Sequence, residues 1–404
     1  MDKLRKILLS VLLFSCAALC AGAKPKTELR VVIIEGESAV MDETFDIRRE
    51  EISFTKRVFG FDAKKSLSRI IGDGKSEKEA FARIYDGLTA KIDKLAAGYY
   101  REAASAEAEF FPDREEKFSY KRESVGRRVN EEELYRGLYD SLRKNVATAE
   151  IKFLITKPEI TCEELKNNTV LRARFSTYYG KSGEARRNNV ELAVKYLNGA
   201  RIKSGEVFSF NERVGRRTEE RGFTEAPVIV DGKYVGGVGG GVCQVSTTLY
   251  NAVLYADFDV TSVTRHSLPV HYVKPSFDAM VSAYSDFRFV NNGKYDAFIN
   301  AETKDGYIII GIYASPSECD VRLLSETTGT IPREVVYVDD ETLAEGEEKV
   351  IVNGADGVCS RGIIEKYVGN ECVFRKEIRK DVYKAQKRVV ARGTKSNDDI
   401  SINN

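Results

Sequence analysis

A glycine run directly before an apolar helical pattern is the sequence feature that most constrains the fold of this chain. The run occupies residues 239–241 and is followed at once by Val242, Cys243 and Gln244. Glycine allows a sharp backbone turn because it has no Cβ. Apolar residues then recur at spacings of four, three and four, as on one buried helix face: Val245, Leu249, Ala252 and Ala256. The pattern predicts a tight turn that opens an α-helix, with Cys243 at the helix start.

Cys243 therefore has the surroundings that make a thiol reactive. The unpaired N–H groups of a first helical turn and the positive end of the helix dipole stabilise negative charge, so they lower the pKa of a thiol. The whole chain holds two histidines, His266 and His271, and both follow Cys243 within 28 residues. The sequence predicts a cysteine nucleophile with a histidine as candidate base, and we expect it to need no cofactor.

Three other interpretations of these residues remain open at this point. A free cysteine often behaves as a small buried apolar residue. Cys243, His266 and His271 could instead bind a metal, although paired-ligand spacing such as Cys-x-x-Cys is absent from the sequence. The glycine run could cradle a phosphate, but no Gly-Lys-Ser/Thr follows it. Thiolate reactivity near neutral pH separates the nucleophile from a structural cysteine.

The first 23 residues have the pattern of a secretory signal peptide. Lys3, Arg5 and Lys6 precede an apolar run over residues 7–19, and small residues follow at 21–23. An uncleaved anchor is the alternative, and we expect a membrane contact only in that case. After cleavage the net charge is −1, which gives no field that attracts nucleic acid. We therefore expect an exported protein without a nucleic-acid partner.

The cysteines of the mature chain are odd in number, which leaves at least one thiol outside any disulfide within the chain. They are Cys162, Cys243, Cys319, Cys359 and Cys372. Cys359 and Cys372 are close enough in sequence to be cross-strand neighbours, so a disulfide between them and two buried thiols both remain open.

Length and punctuation predict an α+β, multidomain protein with an α+β N-terminal domain, a mixed α/β central domain and a small all-β C-terminal module. Capping-box spacing at Ser76 and Glu79, and again at Asn130 and Glu133, predicts helices in the N-terminal domain. The expected boundaries are a signal peptide at 1–23, the N-terminal domain at 24–165, the central domain at 170–315, the module at 331–395 and a disordered tail at 396–404.

The later segments have clear local patterns. Residues 189–198 predict a helix that ends before Gly199, and residues 259–264 predict a strand that delivers His266 to its end. The C-terminal module has glycine-separated strands with charges on both faces. We expect such a module to fold separately and to bind or space rather than catalyse.

The central segment resembles the VanW domain, a family named from vancomycin-resistance clusters. The resemblance covers about a third of the chain, and the segments that carry it are 187–189, 204–211, 226–228, 239–252 and 266–270. Residues 118–165 resemble a peptidoglycan-binding domain often found upstream of VanW domains. The module resembles the five-glycine surface module of cell-wall enzymes, judged from Ile331-Pro332, Tyr337-Val338, Gly346, Gly354 and Gly393-Thr394.

The resemblance implies work on Gram-positive peptidoglycan by a cysteine L,D-transpeptidase. Carried over, Cys243 is the nucleophile and His266 its general base, whereas His271 falls at a position that varies among related sequences. Asp278 or Asp286 would orient His266, and we favour Asp278. In the better-known L,D-transpeptidases the histidine precedes the cysteine, so equivalent chemistry does not imply an equivalent fold.

The same hypothesis assigns substrate contacts and partners. We expect Arg265, Gly241, Gln244 and Tyr250 to bind substrate, with the backbone N–H groups of Cys243 and Gln244 stabilising an oxyanion. The expected partners are peptidoglycan glycan and stem peptides. The expected location is secreted, at the cell wall or cell surface of a Gram-positive-type bacterium. The alternative is a non-catalytic wall-binding protein with a structural Cys243.

Overall fold

A computed structural model of the chain describes residues 28–35, 38–46, 97, 100–129, 148–230 and 233–395. The chain divides into two compact units, one from Met1–Ala106 with Arg122–Thr161 and one from Glu107–Lys121 with Cys162–Asn404. The predicted signal peptide, the polar tail and the helix starts at Ser76 and Asn130 lie outside the described residues.

The first six strands supply one sheet and one hairpin. They are β1 (Glu28–Glu35), β2 (Ser38–Asp46), β3 (Glu107–Phe110), β4 (Phe118–Lys121), β5 (Gly126–Val129) and β6 (Thr148–Thr156). The first unit contains the sheet β2-β1-β6-β5, in which β1 and β6 are parallel. Strands β3 and β4 form a hairpin that belongs to the second unit, where the ring of Phe118 packs on that of Phe298 with centroids 5.2 Å apart.

The second unit continues with four helices and nine strands up to Ala314. These are α1 (Cys162–Asn167), β7 (Val170–Tyr178), α2 (Glu184–Leu197), β8 (Ala200–Ile202), β9 (Val207–Ser209), α3 (Phe210–Val214), β10 (Glu225–Val230), β11 (Lys233–Val238), α4 (Val242–Tyr255), β12 (Asp259–Ser262), β13 (Arg288–Val290), β14 (Ala297–Lys304) and β15 (Tyr307–Ala314). They form the sheets β7-β15-β14-β8, β12-β13-β9 and β10-β11.

Helices α2 and α4 share one core with the sheet β7-β15-β14-β8. The apolar stripe predicted for α4 is confirmed, since Val245, Leu249 and Ala252 are fully buried. Helix α2 begins five residues earlier than predicted and ends at Leu197, with Gly199 in a left-handed conformation just beyond it. This shared core fixes the start of α4, where Cys243 lies.

The C-terminal part forms two three-stranded sheets. Its strands are β16 (Asp320–Ile331), β17 (Val335–Ala344), β18 (Glu348–Val352), β19 (Gly357–Val368), β20 (Glu371–Tyr383) and β21 (Arg388–Lys395). The sheets are β16-β19-β20 and β17-β21-β18. Leu323 of β16 and Ile378 of β20 pack against the core that contains α2 and α4. The C-terminal strands thus pack on that core, a contact that was not predicted from the sequence.

The expected fold class is wrong, because the described residues are mainly β, with twenty-one strands and four α-helices. Helices and strands do mix along residues 170–315, yet every described strand pair there is antiparallel, in separate sheets of two to four strands. Tight turns join neighbouring strands directly, as at Asp305 and Gly306, which both have positive φ. No mixed α/β domain results.

Two further expectations meet the structure here. Cys359 and Cys372 do not form a disulfide, because Cys359 lies opposite Val382 and Cys372 lies opposite Tyr367 across the β19–β20 ladder. None of the described helices combines the length and apolar character needed to cross a membrane.

Candidate active site

The glycine turn before α4 is required by close backbone packing. Gly241 has φ 108°, and a Cβ there would lie 2.9 Å from Cγ of Arg186. A Cβ at Gly240 would lie 2.6 Å from the carbonyl oxygen of Ala226. Asn189 of α2 donates from Nδ2 to the Gly240 carbonyl at 3.0 Å, which holds the turn against the core. Gly241 therefore faces the protein's own helix, and we do not retain it as a substrate contact.

The first turn of α4 already uses part of its hydrogen-bonding capacity. The Gln244 amide donates to the Gly241 carbonyl at 2.9 Å, so the Cys243 amide is the oxyanion donor that we retain. The buried Gln244 side chain accepts from Arg186 at 2.8 Å and donates to the Tyr178 carbonyl at 2.9 Å. Gln244 thus positions the helix start and is not retained as a substrate contact.

Cys243 is half-buried, and its sulfur lies against the backbone of Val281. The Val281 amide is 3.5 Å from Sγ and the Val281 carbonyl is 3.3 Å from it. Burial raises the pKa of Cys243, but the hydrogen bond and charge of His266, the Val281 amide and the charge of Arg217 together hold that pKa below its ordinary value. The surroundings of this sulfur favour a thiolate.

His266 connects the thiol to a buried carboxylate. Its Nδ1 lies 2.7 Å from Oδ2 of Asp278, and its backbone N–H donates to the same oxygen at 2.7 Å. Because an ionised carboxylate only accepts, Nδ1 carries a proton and Nε2 remains to exchange one with the thiol. Burial lowers the pKa of His266, but Asp278 and Cys243 outweigh it and raise the pKa to about 9.

Asp278 stays ionised although it is fully buried. Burial raises its pKa, whereas His266, Arg379 and Tyr383 lower it, and the net shift is downward. Cys243, His266 and Asp278 thus form a connected line in which a lowered thiol pKa faces a raised histidine pKa. These opposite shifts favour the thiolate and imidazolium forms of the pair, which are the forms that a cysteine nucleophile uses.

The segment that carries Asp278 is bonded to α4 by hydroxyl and amide side chains. Ser246 donates to the Ala279 carbonyl at 2.6 Å, and the Ala279 amide donates to Thr247 at 2.9 Å. Asn251 donates from Nδ2 to the Phe277 carbonyl at 2.8 Å. Buried polar groups on α4 therefore fix the distance between the thiol and the carboxylate.

Other candidates from the sequence lie elsewhere. Asp286 accepts from Ser209 and from the Asn211 amide at the start of α3, so it does not orient His266. His271 is exposed. Tyr250 is buried in the core beside Phe287 and is not retained as a substrate contact. Among the described residues no group of three or more His, Cys, Asp and Glu side chains is arranged to hold a metal.

The structure also adds site residues that the sequence did not identify. Burial raises the pKa of Tyr272, and the charge of Cys243 raises it further. Burial lowers the pKa of Arg217, whereas the charge of Cys243 raises it. Arg265 donates to the His266 carbonyl at 3.0 Å and lies 3.9 Å from Asp381 of β20. No local spacing marks Tyr272 or Arg217, so only the tertiary structure reveals them.

Comparison with known families agrees with the resemblance described above. Residues 185–313 match the family of VanW-like proteins, and residues 324–395 match the G5 domain. The chain contains a VanW-like domain and a G5 domain. Cys243, His266 and Asp278 all lie within the VanW-like domain, and strands β17–β21 lie within the G5 domain.

Two curated proteins are similar to this chain. One is the uncharacterised protein YoaR of Bacillus subtilis (strain 168), 36% identical over 181 residues, which are 44% of this chain and 60% of YoaR. The other is the vancomycin B-type resistance protein VanW of Enterococcus faecalis (strain ATCC 700802 / V583), 33% identical over 78 residues, which are 19% of this chain and 28% of VanW. The matched regions thus span less than two thirds of either relative.

Two solved structures are also similar to parts of this chain. HP0197-G5 is 17% identical, with 19% of this chain and 100% of that chain covered and a TM-score of 0.13. The G5 domain of IgA1 protease is 24% identical, with 20% and 95% covered and a TM-score of 0.15. These scores are too low to support any argument about this fold.

Proposed function

We propose that this protein is associated with the bacterial cell wall and acts there as a cysteine acyltransferase, an L,D-transpeptidase that cross-links peptidoglycan stems. The observation that carries the proposal is the connected line Cys243–His266–Asp278 at a helix start. Support for the location comes from its G5 domain and from its similarity to VanW, whose name ties that relative to vancomycin resistance.

The first half-reaction is acylation of the thiol. The Cys243 thiolate attacks the carbonyl carbon that links the stem to its terminal D-residue, so a C–S bond forms and a C–N bond breaks. The imidazolium of His266 gives its proton to the departing amine. The Cys243 amide donates to the oxyanion as negative charge develops there.

The second half-reaction returns the enzyme to its resting state. An amine of a neighbouring stem attacks the thioester carbonyl, a C–N bond forms and the C–S bond breaks. His266 takes the proton of the attacking amine, and Cys243 leaves as thiolate. Arg217, already coupled to the Cys243 charge, stabilises the thiolate whenever it is released.

The test is incubation of the full chain with purified tetrapeptide muropeptides, followed by mass spectrometry. We expect cross-linked dimers that have lost one terminal residue, and an acyl adduct on Cys243 when no acceptor amine is supplied. His266→Ala should abolish both products, and His271→Ala is the matched control because that histidine is exposed. Folded protein that yields neither product with amidated or unamidated stems, yet binds cell walls, would establish the wall-binding alternative.

A further inference from the structure

The loop between His266 and Asp278 is docked on the G5 domain. The Lys384 amide donates to the Ser267 carbonyl at 2.8 Å, near the start of the loop. Near its end, Ser325 donates to the Pro275 carbonyl at 2.8 Å, and the hydroxyls of Ser276 and Ser360 lie 2.8 Å apart. Both ends of the loop that separates base from carboxylate are therefore held by another domain.

The carboxylate of Asp278 is itself shared between the two domains. Its Oδ2 accepts from His266, whereas its Oδ1 accepts from the Tyr383 hydroxyl at 2.5 Å. Arg379 places Nη2 3.6 Å from the same Oδ1 and donates from Nη1 to the Asp278 carbonyl. The Tyr383 hydroxyl also accepts from the Ser276 amide at 2.8 Å, so one phenol holds both the carboxylate and its backbone.

The backbone beside Asp278 depends on these contacts. Ser276 has φ 67°, a left-handed conformation that residues other than glycine rarely adopt. Its Cβ and carbonyl oxygen would each lie 3.1 Å from a Cβ at Gly362 of β19, so that glycine allows the loop to approach. Such a conformation persists where the surrounding structure over-determines it, and here the surrounding structure is the G5 domain.

We infer that Tyr383 and Arg379 of the G5 domain are positioning residues for the Cys243 site, acting through Asp278, so that the site of the VanW-like domain is incomplete without its G5 domain. The inference rests on the proposed function where it is tested by kcat. Its test by alkylation of Cys243 does not depend on the proposed function. Tyr383 is fully buried, and burial raises the pKa of its phenol, which therefore stays neutral and donates to the carboxylate.

Tyr383→Phe isolates this role because phenylalanine keeps the packing and removes only the hydroxyl. Without that hydroxyl the carboxylate is held less firmly against Nδ1 and stabilises the imidazolium less, so a smaller fraction of the protein holds the thiolate–imidazolium pair. We expect kcat to fall about 10- to 100-fold at unchanged KM, the range seen when a partner that orients a reacting group is removed. We expect the plateau of the pH profile for alkylation of Cys243 by iodoacetamide to fall, because less of the protein then holds the thiolate.

Tyr337→Phe is the matched control, because Tyr337 lies in the same domain but is exposed on β17. It should change neither kcat nor the alkylation profile. A Tyr383→Phe protein that folds and keeps both wild-type values would overturn the inference. If that variant does not fold, Arg379→Lys keeps the positive charge but loses the fork that contacts Asp278 twice, and it must lower kcat at unchanged KM for the inference to stand.

A double-mutant comparison shows whether Tyr383 acts through Asp278. In an Asp278→Asn background, adding Tyr383→Phe should cost little further activity, because the group that it positions is already lost. An equal fold-loss in both backgrounds would contradict the inference. Alkylation needs no muropeptide. A wild type without turnover, together with a lower alkylation plateau in Tyr383→Phe, would refute the transpeptidase and keep the positioning role.

Discussion

The VanW-like and G5 domains differ in what they bury. The VanW-like domain buries apolar side chains such as Val245 and Leu249 completely, whereas the G5 strands leave many apolar side chains open, such as Ile351 at 57% and Val373 at 51% exposure. The G5 domain does bury polar groups, and Ser360, Arg379 and Tyr383 all contact the loop that carries Asp278.

This difference shows that the residues supporting the Cys243 site extend beyond the VanW-like domain. A buried polar or charged group is costly unless it is hydrogen-bonded or paired. Ser360, Arg379 and Tyr383 of the G5 domain each have a partner in the VanW-like domain, so the two domains share one polar cluster around Asp278. A boundary drawn from composition therefore separates Cys243 from Tyr383 and Arg379, which hold Asp278.

The strongest way to sharpen this comparison is Cys243→Ala, which removes the proposed nucleophile and leaves the shared cluster in place. We expect turnover to fall at least about 10⁴-fold, as when one member of a catalytic triad is removed. Stability near pH 6.5 should stay within about 1 kcal/mol of wild type, because the side chain is half-buried. Muropeptide turnover and urea unfolding measure the two quantities.

Cys359→Ala is the control for that variant, since Cys359 is also half-buried but lies on β19 of the G5 domain, opposite Val382. It should keep full turnover. A loss of about 2–5 kcal/mol for Cys243→Ala, as for an emptied core position, would instead support the structural cysteine.

A smaller effect should follow from weakening the contact between the domains. Lys366 of β19 lies 2.7 Å from Asp257 at the end of α4, with both side chains about a quarter exposed. Lys366→Glu turns this attraction into repulsion, and we expect about 0.5–1 kcal/mol lower stability and a few-fold slower alkylation of Cys243. Adding Asp257→Asn should restore both values, because it removes the repulsion between the two negative charges. Asparagine suits this position because it tolerates the positive φ there.

Lys387→Glu tests whether any charge reversal in the G5 domain slows alkylation of Cys243 as Lys366→Glu is expected to do. Lys387 pairs with Glu334 at 2.7 Å inside that domain, and both side chains are largely exposed. It should leave alkylation of Cys243 unchanged. Equal slowing by Lys387→Glu and Lys366→Glu would break the claim that contact between the domains sets thiol reactivity.

How much could be predicted differs between the same two regions. The α4 helix, its buried stripe and the strand before His266 follow local spacing, so the sequence identified them. The sequence also favoured Asp278 as the residue that orients His266, with Asp286 as the alternative. The structure separates the two, because Asp286 is bonded at the start of α3.

Tyr383 and Arg379 were not predictable, because they are about a hundred residues from Asp278 and follow no pattern linked to it. Their strand shows alternating charges, which are typical of a solvated surface. The fold class was wrong for a similar reason: local signals give helices and strands, whereas the pairing of strands into separate small sheets depends on tertiary contacts.

The smallest expected effect is a change in how stability depends on pH. His266, with a pKa raised from 6.5 to about 9, contributes stability that is present below pH 6.5 and is lost as pH rises through about 9. Cys243, with a pKa lowered from 9.0, contributes stability that is present above pH 9.0 and is lost as pH falls through its folded pKa. Between pH 6.5 and about 9 the two contributions change in opposite directions with pH and offset each other, so wild-type stability should be nearly flat there.

Cys243→Ala removes the compensating thiolate and should expose the histidine slope. Asp278 still raises the pKa of His266 in that variant, so stability should fall as pH rises from 6.5, by about 1.4 kcal/mol for each unit of elevation that remains. Urea unfolding across this pH range, with Cys359→Ala as the flat control, measures the slope. Parallel curves for wild type and Cys243→Ala would mean that the folded protein holds thiol and neutral imidazole, and that Asp278 orients His266 without charging it.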